Sequence, residues 1–357
     1  MKGSAGSSDP VRAQTFTSPI RSTGAGSPLP GAFVRVQSSG MPRRVVIPPE
    51  FADRPFTSAE AREAGLSRGF LCGPRVRRLF RGVYIGADVE PTLMTWINAA
   101  RLALPDDAVI SHSTAMWLRG LAPQGRAGLE FSTNSGLVTE HAGIVLHRRG
   151  GHLVPEIIDG LPVTGPDRTF VDCAHRRPIV EVIQLGDLLV RTDQTTIDRL
   201  VAYANTRHLH GVRRARRLLR HVRESAESPR ETVVRLMIVW SGLPEPECNV
   251  DIVDADGRFV ARGDLVLRRW LIVVEYDGWY HERNGRQRQR DVLRRERLEA
   301  LGWCVVVITG RDLRHPEAIP SRVHGALVRA GYRGPAPRLS MMWKTWFRPA
   351  SEGIGRF

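Results

Sequence analysis

Residues 263–282, GDLVLRRWLIVVEYDGWYHE, constrain the fold more than any other stretch of the chain. They read as two strands joined by a short turn around Arg268 and Arg269. The second strand, residues 270–276, is too apolar for a surface position and runs into the acidic group Glu275, Tyr276, Asp277. Side chains alternate along a strand, so Glu275 and Asp277 point the same way. Gly278 then permits a sharp turn. If the turn between the strands is tight, the first strand returns alongside and Asp264 lies within about two positions of Glu275. Three carboxylates then meet at the end of a buried strand. Like charges that close repel, and a divalent cation is the usual compensation. The plain alternative is an Asp-Gly turn on a solvated strand end.

The surrounding segments favour the first reading. Upstream, Glu231 opens a helix after Ser228 and Pro229; downstream, Asp291, Arg294 and Arg295 lie on a basic helix that leads through Leu298, Gly302 and Trp303 into the strand CVVVIT. The order is helix with Glu, strand with Asp, strand with E-x-D, basic helix, strand. That order resembles the restriction-endonuclease-like superfamily. It looks most like the Vsr-like (very-short-patch-repair-like) nuclease domains of bacteria. The matching residues are S-P-R-E at 228–231, G-L-P at 242–244, D-L at 264–265, V-E-Y-D-G with His281, D-V-L-R at 291–294 and L-E-A-L-G-W at 298–303. The resemblance covers about residues 228–331 and implies a mixed sheet flanked by helices that hydrolyses phosphodiester bonds in DNA with a metal. One departure matters. Many members of the superfamily carry a lysine two residues after the metal-binding glutamate, where this chain has Asp277. The Vsr-like branch commonly lacks that lysine, and the general base is left unassigned.

On this reading Asp264 and Glu275 hold Mg²⁺ or Mn²⁺, and Asp277 is a further or outer ligand. The resemblance places Glu231 beside the same site from the preceding helix. His281 is read as a general base or a phosphate contact, against a hydrogen bond that braces the turn. Asp291 is expected to pair with Arg294 or Arg295. Arg286, Arg288 and Arg290 are better placed to meet backbone phosphates.

The chain has 357 residues and a net charge of +15, which favours a polyanionic partner. Only Lys2 and Lys344 are lysines among the 52 basic residues, so the arginine excess partly reflects a compositional bias and the position of the charge matters more than its sum. The four cysteines show no C-x-x-C spacing and read as reduced thiols. No signal core or membrane-length apolar run is present, so a soluble cytoplasmic protein is expected.

Residues 1–45 are rich in Ser, Gly and Pro and read as a disordered tail, with Met1 and Met41 both open as starts. Residues 46–88 give two short capped helices and a hairpin carrying Arg75, Arg77, Arg78 and Arg81. Through G-L-S and R-G-V-Y this segment resembles the N-terminal winged helix of AbiEi-type abortive-infection antitoxins, which implies DNA contact through Arg75, Arg77 and Arg78. The second helix is cut short by Gly73-Pro74, which argues against sequence-specific reading of the major groove.

Residues 89–175 read as an α+β middle region. There His112, in S-H-x-T-A, has no acidic partner at a recognisable spacing and reads as a structural hydrogen-bonding residue, with Ser111 as a helix cap. Arg168 and Asp172 are spaced for a helix-start ion pair. Residues 176–227 form a helical connector. Its segment GVRRARRLLRHVR has an apolar stripe of Val212, Ala215, Leu219 and Val222, with no acid. Arg213, Arg214, Arg217 and Arg220 on that helix are expected to touch phosphates. The nuclease-like domain takes residues 228–332, and 333–357 read as a flexible tail.

The whole is expected to be an α/β multidomain protein with a winged-helix-like head and a restriction-endonuclease-like body. Its expected activity is that of a Mg-dependent deoxyribonuclease acting on DNA, with no membrane partner. The rival reading is a non-catalytic AbiEi-like antitoxin or repressor that keeps the nuclease fold as a DNA-binding platform. A cognate toxin or a second copy as partner is left open.

Overall fold

The computed structural model describes residues 47–123, 128–149, 151, 153–277 and 285–348, without the side chains of 285–288. All of them belong to the second of the chain's two units, Ile47–Phe357. His281 and the side chains of Arg286 and Arg288 lie outside the described residues. The fold is mixed α/β, with strands in three sheets and helices packed against them.

After a 3-10 turn at Pro49–Phe51 the described chain forms β1 (Phe56–Thr57), α1 (Ser58–Glu63), α2 (Arg68–Leu71), β2 (Val76–Phe80) and β3 (Val83–Gly86). Thr57 and Glu60 form a reciprocal capping box at the start of α1. Ser67 accepts from the Phe70 amide to cap α2. The strands form a small antiparallel sheet in the order β1-β3-β2. Next come α3 (Leu93–Arg101), β4 (Val109–Ile110), α4 (His112–Leu118), β5 (Leu129–Thr133), β6 (Ile144–Arg148), β7 (Pro155–Ile158) and β8 (Leu161–Thr164). Their sheet runs β6-β5-β4-β8-β7, with β5 parallel to β6. Phe80 and Ile85 of the hairpin share one core with Ile97, Ile110, Phe131 and Val163, so the boundary expected at residue 88 runs through packed side chains.

Helices α5 (Pro166–Arg176), α6 (Ile179–Arg191), α7 (Ile197–Thr206), α8 (Val212–Leu219) and α9 (Pro229–Trp240) follow. Gly211 starts α8 at φ +87°, and a Cβ there would stand 2.7 Å from the Val171 carbonyl oxygen, so both backbone angle and space require glycine. The stripe Val212, Ala215, Leu219 and Val222 is buried, as its spacing predicts.

The third sheet contains β9 (Glu247–Val253), β10 (Phe259–Leu267), β11 (Ile272–Asp277) and, after α10 (Gly285–Ala300), β12 (Cys304–Thr309). β9, β10 and β11 pair antiparallel, and β11 and β12 pair parallel. The turn after β10 is a 3-10 turn, Arg268–Trp270, closed by Leu271 at φ +50°. That extra turn moves the start of β11 from the expected Trp270 to Ile272. One sheet face, with Leu265, Val274 and Ile308, packs on α9 and on α11 (Ala318–Arg329). The other, with Ile252, Val266 and Val273, packs on Leu298 and Trp303.

The tail expected to be flexible is docked up to Phe347. α12 (Met341–Trp346) buries Trp343 completely, and its indole N–H donates to the Met237 carbonyl at 3.1 Å. Trp346 and Phe347 lie against Trp240. The positions 343, 346 and 347 make an i, i+3, i+4 apolar face, a signal diluted when the tail is read as a whole. No helix among the described residues is long and apolar enough to cross a membrane.

Candidate functional site

The β10–β11 register decides where the acids go. Leu265 sits opposite Val274 with both side chains in the α9–α11 core, so one step along Asp264 and Glu275 face the opposite side, toward α10. There they share a recess of about 150 Å³ with Asp277, Asp291, Arg294 and Leu298. The Tyr276 amide donates to Asp264 Oδ2 at 2.9 Å. Burial pushes the Asp264 carboxyl up to about 6, helped by the charges of Glu231 and Glu275 and opposed by the Tyr276 amide and Arg294.

Arg294 reaches Glu275, with Nη1 2.6 Å from Oε1, and also donates to the Arg262 carbonyl. Helical spacing alone offers Arg294 the acid Asp291 on its own helix; an acid in the sheet competes for the guanidinium. Glu231 is buried at the start of α9, where its Oε2 accepts from the Glu227 amide at 3.0 Å and from Asn249 Nδ2 at 2.8 Å. It therefore acts on Asp264 through its charge while its own carboxylate braces the connection from α8 to β9.

The donors of this recess are oxygens, the ligand type Mg²⁺ and Mn²⁺ take, commonly from one or two carboxylates with water and phosphate completing the shell. The residue chemistry fits such an ion. The titration of Asp264 carries a stability prediction for metal-free protein. Its folded value, about 6, is raised above the ordinary 3.8, so its contribution is fully present below about pH 4 and is lost as pH rises through about 6. Asp264→Asn should therefore leave stability at pH 8 higher by up to about 3 kcal/mol and flatten its fall between pH 4 and 7. Urea melts across that range check it, and an unchanged pH profile would refute the burial of a charge there.

The basic residues divide. Arg213, Arg217 and Arg220 are exposed and make no ion pair among the described residues, and Arg290 is exposed as well. Arg75 and Arg78 are exposed on or beside β2, while Arg77 donates to the Ala87 carbonyl at 3.3 Å and pairs with Glu90. Arg214 corrects its expectation. It turns back onto α5, donating to the carbonyls of Ala174 at 3.0 Å and Arg177 at 2.9 Å.

A second cluster gathers far from this recess in sequence. His112 opens α4 at φ +50°, and its ring stacks on His147 of β6 at 3.7 Å between centroids. His147 Nε2 lies 3.0 Å from Glu130 Oε1, and the other Glu130 oxygen takes the amide and hydroxyl of Ser113. Arg149 donates to His112 Nε2 at 2.7 Å, which makes Nε2 the acceptor and leaves Nδ1 to face the Ser111 hydroxyl at 2.8 Å. Asp172, nearly buried, takes Arg168 on both oxygens at 2.9 Å, the i,i+4 pair expected from its spacing. Burial above all, reinforced by His147, pushes the His112 pKa down and keeps it neutral. Burial opposes the Glu130 carboxylate, but the bonds from His147 and Ser113 outweigh it and pull its pKa down.

Sequence spacing gives His112 no acidic partner; the fold supplies one through His147, from two neighbouring strands. Ser111 stands at the N-cap without capping the helix, because its hydroxyl is turned to His112 and Ser132. Among the described residues, the three ligand atoms found within 4.8 Å of one another belong to His112, Glu130 and His147.

Fold and site thus define a mixed α/β protein with an acidic recess in its C-terminal sheet. No protein-family model matches the chain. It is similar to two proteins of Mycobacterium tuberculosis, "Uncharacterized protein MT2308" of strain CDC 1551 / Oshkosh and "Uncharacterized protein Rv2248" of strain ATCC 25618 / H37Rv. Each is 28% identical over 261 residues, covering 72% of this chain and 94% of the relative.

Proposed function

We propose that the chain is a DNA-binding protein whose C-terminal sheet is a metal-dependent endonuclease. The observation that carries the reading is the Asp264–Glu275 pair, two carboxylates on one sheet face with Asp264 raised to about 6 by burial and like charge. Charges that repel in a half-buried recess destabilise the fold unless a cation joins them. Bound Mg²⁺ or Mn²⁺ would supply a water of lowered pKa and polarise the scissile phosphate. Asp264 and Glu275 would hold it, Asp277 would order its outer waters, and Arg290 on α10 would meet the phosphate backbone. Arg294 must release Glu275 for this to happen.

α1, α2 and the β2–β3 hairpin would act as a winged-helix-like head, with Arg75 and Arg78 toward the duplex. Four free thiols suit a reducing cytoplasm. Purified protein incubated with plasmid, single-stranded and mismatched DNA in Mg²⁺ or Mn²⁺ tests the activity; cleavage of at least one form is expected, and none with either metal would refute it.

One observation favours the rival reading, a non-catalytic AbiEi-like antitoxin or repressor. Arg294 already neutralises Glu275 from within the chain, which is how a retired metal site would be stabilised. Protein that binds DNA and cuts none of these substrates would support that alternative.

The binding arm carries its own prediction. Arg213, Arg217 and Arg220 recur at spacing four and three and so share one face of α8. Changing all three to Ala should flatten the dependence of DNA affinity on log salt by up to about 0.9 for each phosphate no longer neutralised. Arg214→Ala should instead lower thermal stability and leave that slope alone. Fluorescence anisotropy at several salt concentrations separates them, and an unchanged slope in the triple variant would show that this face meets only solvent.

A further inference from the structure

We propose that His112, Glu130 and His147 form a separate site for a zinc-class divalent cation, with Arg149 as the internal cation that the metal displaces. One ligand atom from each residue lies within 4.8 Å of the other two. Metal bonds of about 2.0–2.2 Å in a tetrahedron need those atoms about 3.3–3.6 Å apart, a closure that side-chain rotation supplies. Two imidazoles and one carboxylate leave a fourth position for water or substrate. Imidazole donors select Zn²⁺ and its first-row neighbours, whereas the oxygens around Asp264 suit Mg²⁺.

The scaffold is built to aim these groups. β5 and β6 are parallel with Ser132 opposite His147, so Glu130, Ser132 and His147 rise from one face toward α4. Metal-binding histidines commonly give their second nitrogen to a fixed partner. Here Ser132 donates to Ser111 at 2.9 Å, Ser111 meets His112 Nδ1, and His112 Nε2 is left pointing into the cluster. Glu130 is arranged likewise, with Ser113 holding one oxygen so that the other faces His147. His112 holds a left-handed backbone angle, and Ser111 gives up the helix cap to orient it. Strain and a forgone cap at one point are features that concentrate at functional sites.

Arg149 stands where a cation is wanted, 2.7 Å from His112 Nε2, with its own Nε buried and lacking a hydrogen-bond partner. Its tie to Asp172 is long, 3.5 Å, and Asp172 keeps both bonds from Arg168 if Arg149 withdraws. The guanidinium can therefore leave without stranding a buried acid.

Full-length protein stripped with a chelator and titrated with Zn²⁺, and in parallel with Co²⁺ followed by its visible absorption, tests the proposal. One ion per chain at micromolar free metal is expected. His147→Ala and Glu130→Gln should each weaken binding by more than the roughly 10- to 100-fold expected for Ser111→Ala, which removes only an orienting partner. Arg149→Gln should tighten it, and because it leaves all three ligands in place it keeps the test decisive if His147→Ala does not fold. Asp264→Asn with Glu275→Gln should leave the Zn²⁺ stoichiometry unchanged, so failure here and failure of the nuclease reading are separate results. No Zn²⁺ uptake, or uptake that survives both His147→Ala and Glu130→Gln in protein that also carries Asp264→Asn and Glu275→Gln, would overturn the site and make Arg149 its permanent cation.

Discussion

Asp264→Asn and Glu275→Gln are each expected to abolish metal-dependent cleavage of DNA, to below detection, while DNA binding and folding persist. Both substitutions keep size and a hydrogen-bond acceptor. The asparagine would still take the Tyr276 amide that Asp264 accepts at 2.9 Å, and the glutamine would still reach Arg294. What disappears is the negative charge that would hold the cation, so the loss should fall on turnover and leave structure intact. Binding of duplex DNA should hold or tighten, because an acid facing the phosphate is gone. Asp264→Asn should also show the stability gain at high pH described above, which checks in the same protein that the buried charge has been removed. His281→Ala should cost about 10²- to 10⁴-fold if that residue is the general base. Rates measured with Mg²⁺ and Mn²⁺, alongside anisotropy for binding, decide the matter. Cleavage that survives both carboxylate substitutions would identify a contaminating nuclease and end the assignment.

The parts of this site that could be read from sequence are those set by local periodicity. Strand alternation puts Glu275 and Asp277 on one face, and a hairpin brings Asp264 back to them. The stripe of α8 follows from spacing alone. What sequence does not carry is the choice a long polar side chain makes among distant acceptors. Arg214 looks identical to Arg213 on paper, yet carbonyls of α5 some 40 residues earlier capture it because its position on α8 faces inward. Arg294 has an acid three residues away on its own helix, and a sheet residue takes it. The His112 cluster was hidden for the same reason. Its acid and second imidazole come from β5 and β6, and only their parallel register makes neighbours of Glu130 and His147. Ser111 misleads in a different way: the residue type that caps helices is present at the cap and is used for something else.

Arg235→Leu is expected to destabilise the protein by about 3–5 kcal/mol at pH 8, because it strands a buried carboxylate. Arg235 is 1% exposed and meets Asp187 of α6 at 2.9 Å, and Asp187 also takes the Arg223 amide and the Thr232 hydroxyl. Burial already pushes the Asp187 pKa up against the pull of Arg235. Without the guanidinium it should rise further, so the variant should be least damaged at acid pH and lose stability as pH climbs through that raised value. The pair itself is not a strong source of stability, since Arg235 Nε and Nη1 are buried without hydrogen-bond partners. Adding Asp187→Asn to Arg235→Leu should therefore recover most of the loss, with the new side-chain carbonyl still accepting from the Arg223 amide. What the ion pair secures is position. It pins α9 to α6, one turn along from Glu231, whose charge adds to the burial that raises Asp264. A double-mutant cycle by urea melts at pH 5 and pH 8 measures the coupling. A single-variant loss under about 1 kcal/mol, or one that does not change with pH, would show that Asp187 finds water when its partner is removed, and that α9 is held by apolar packing alone.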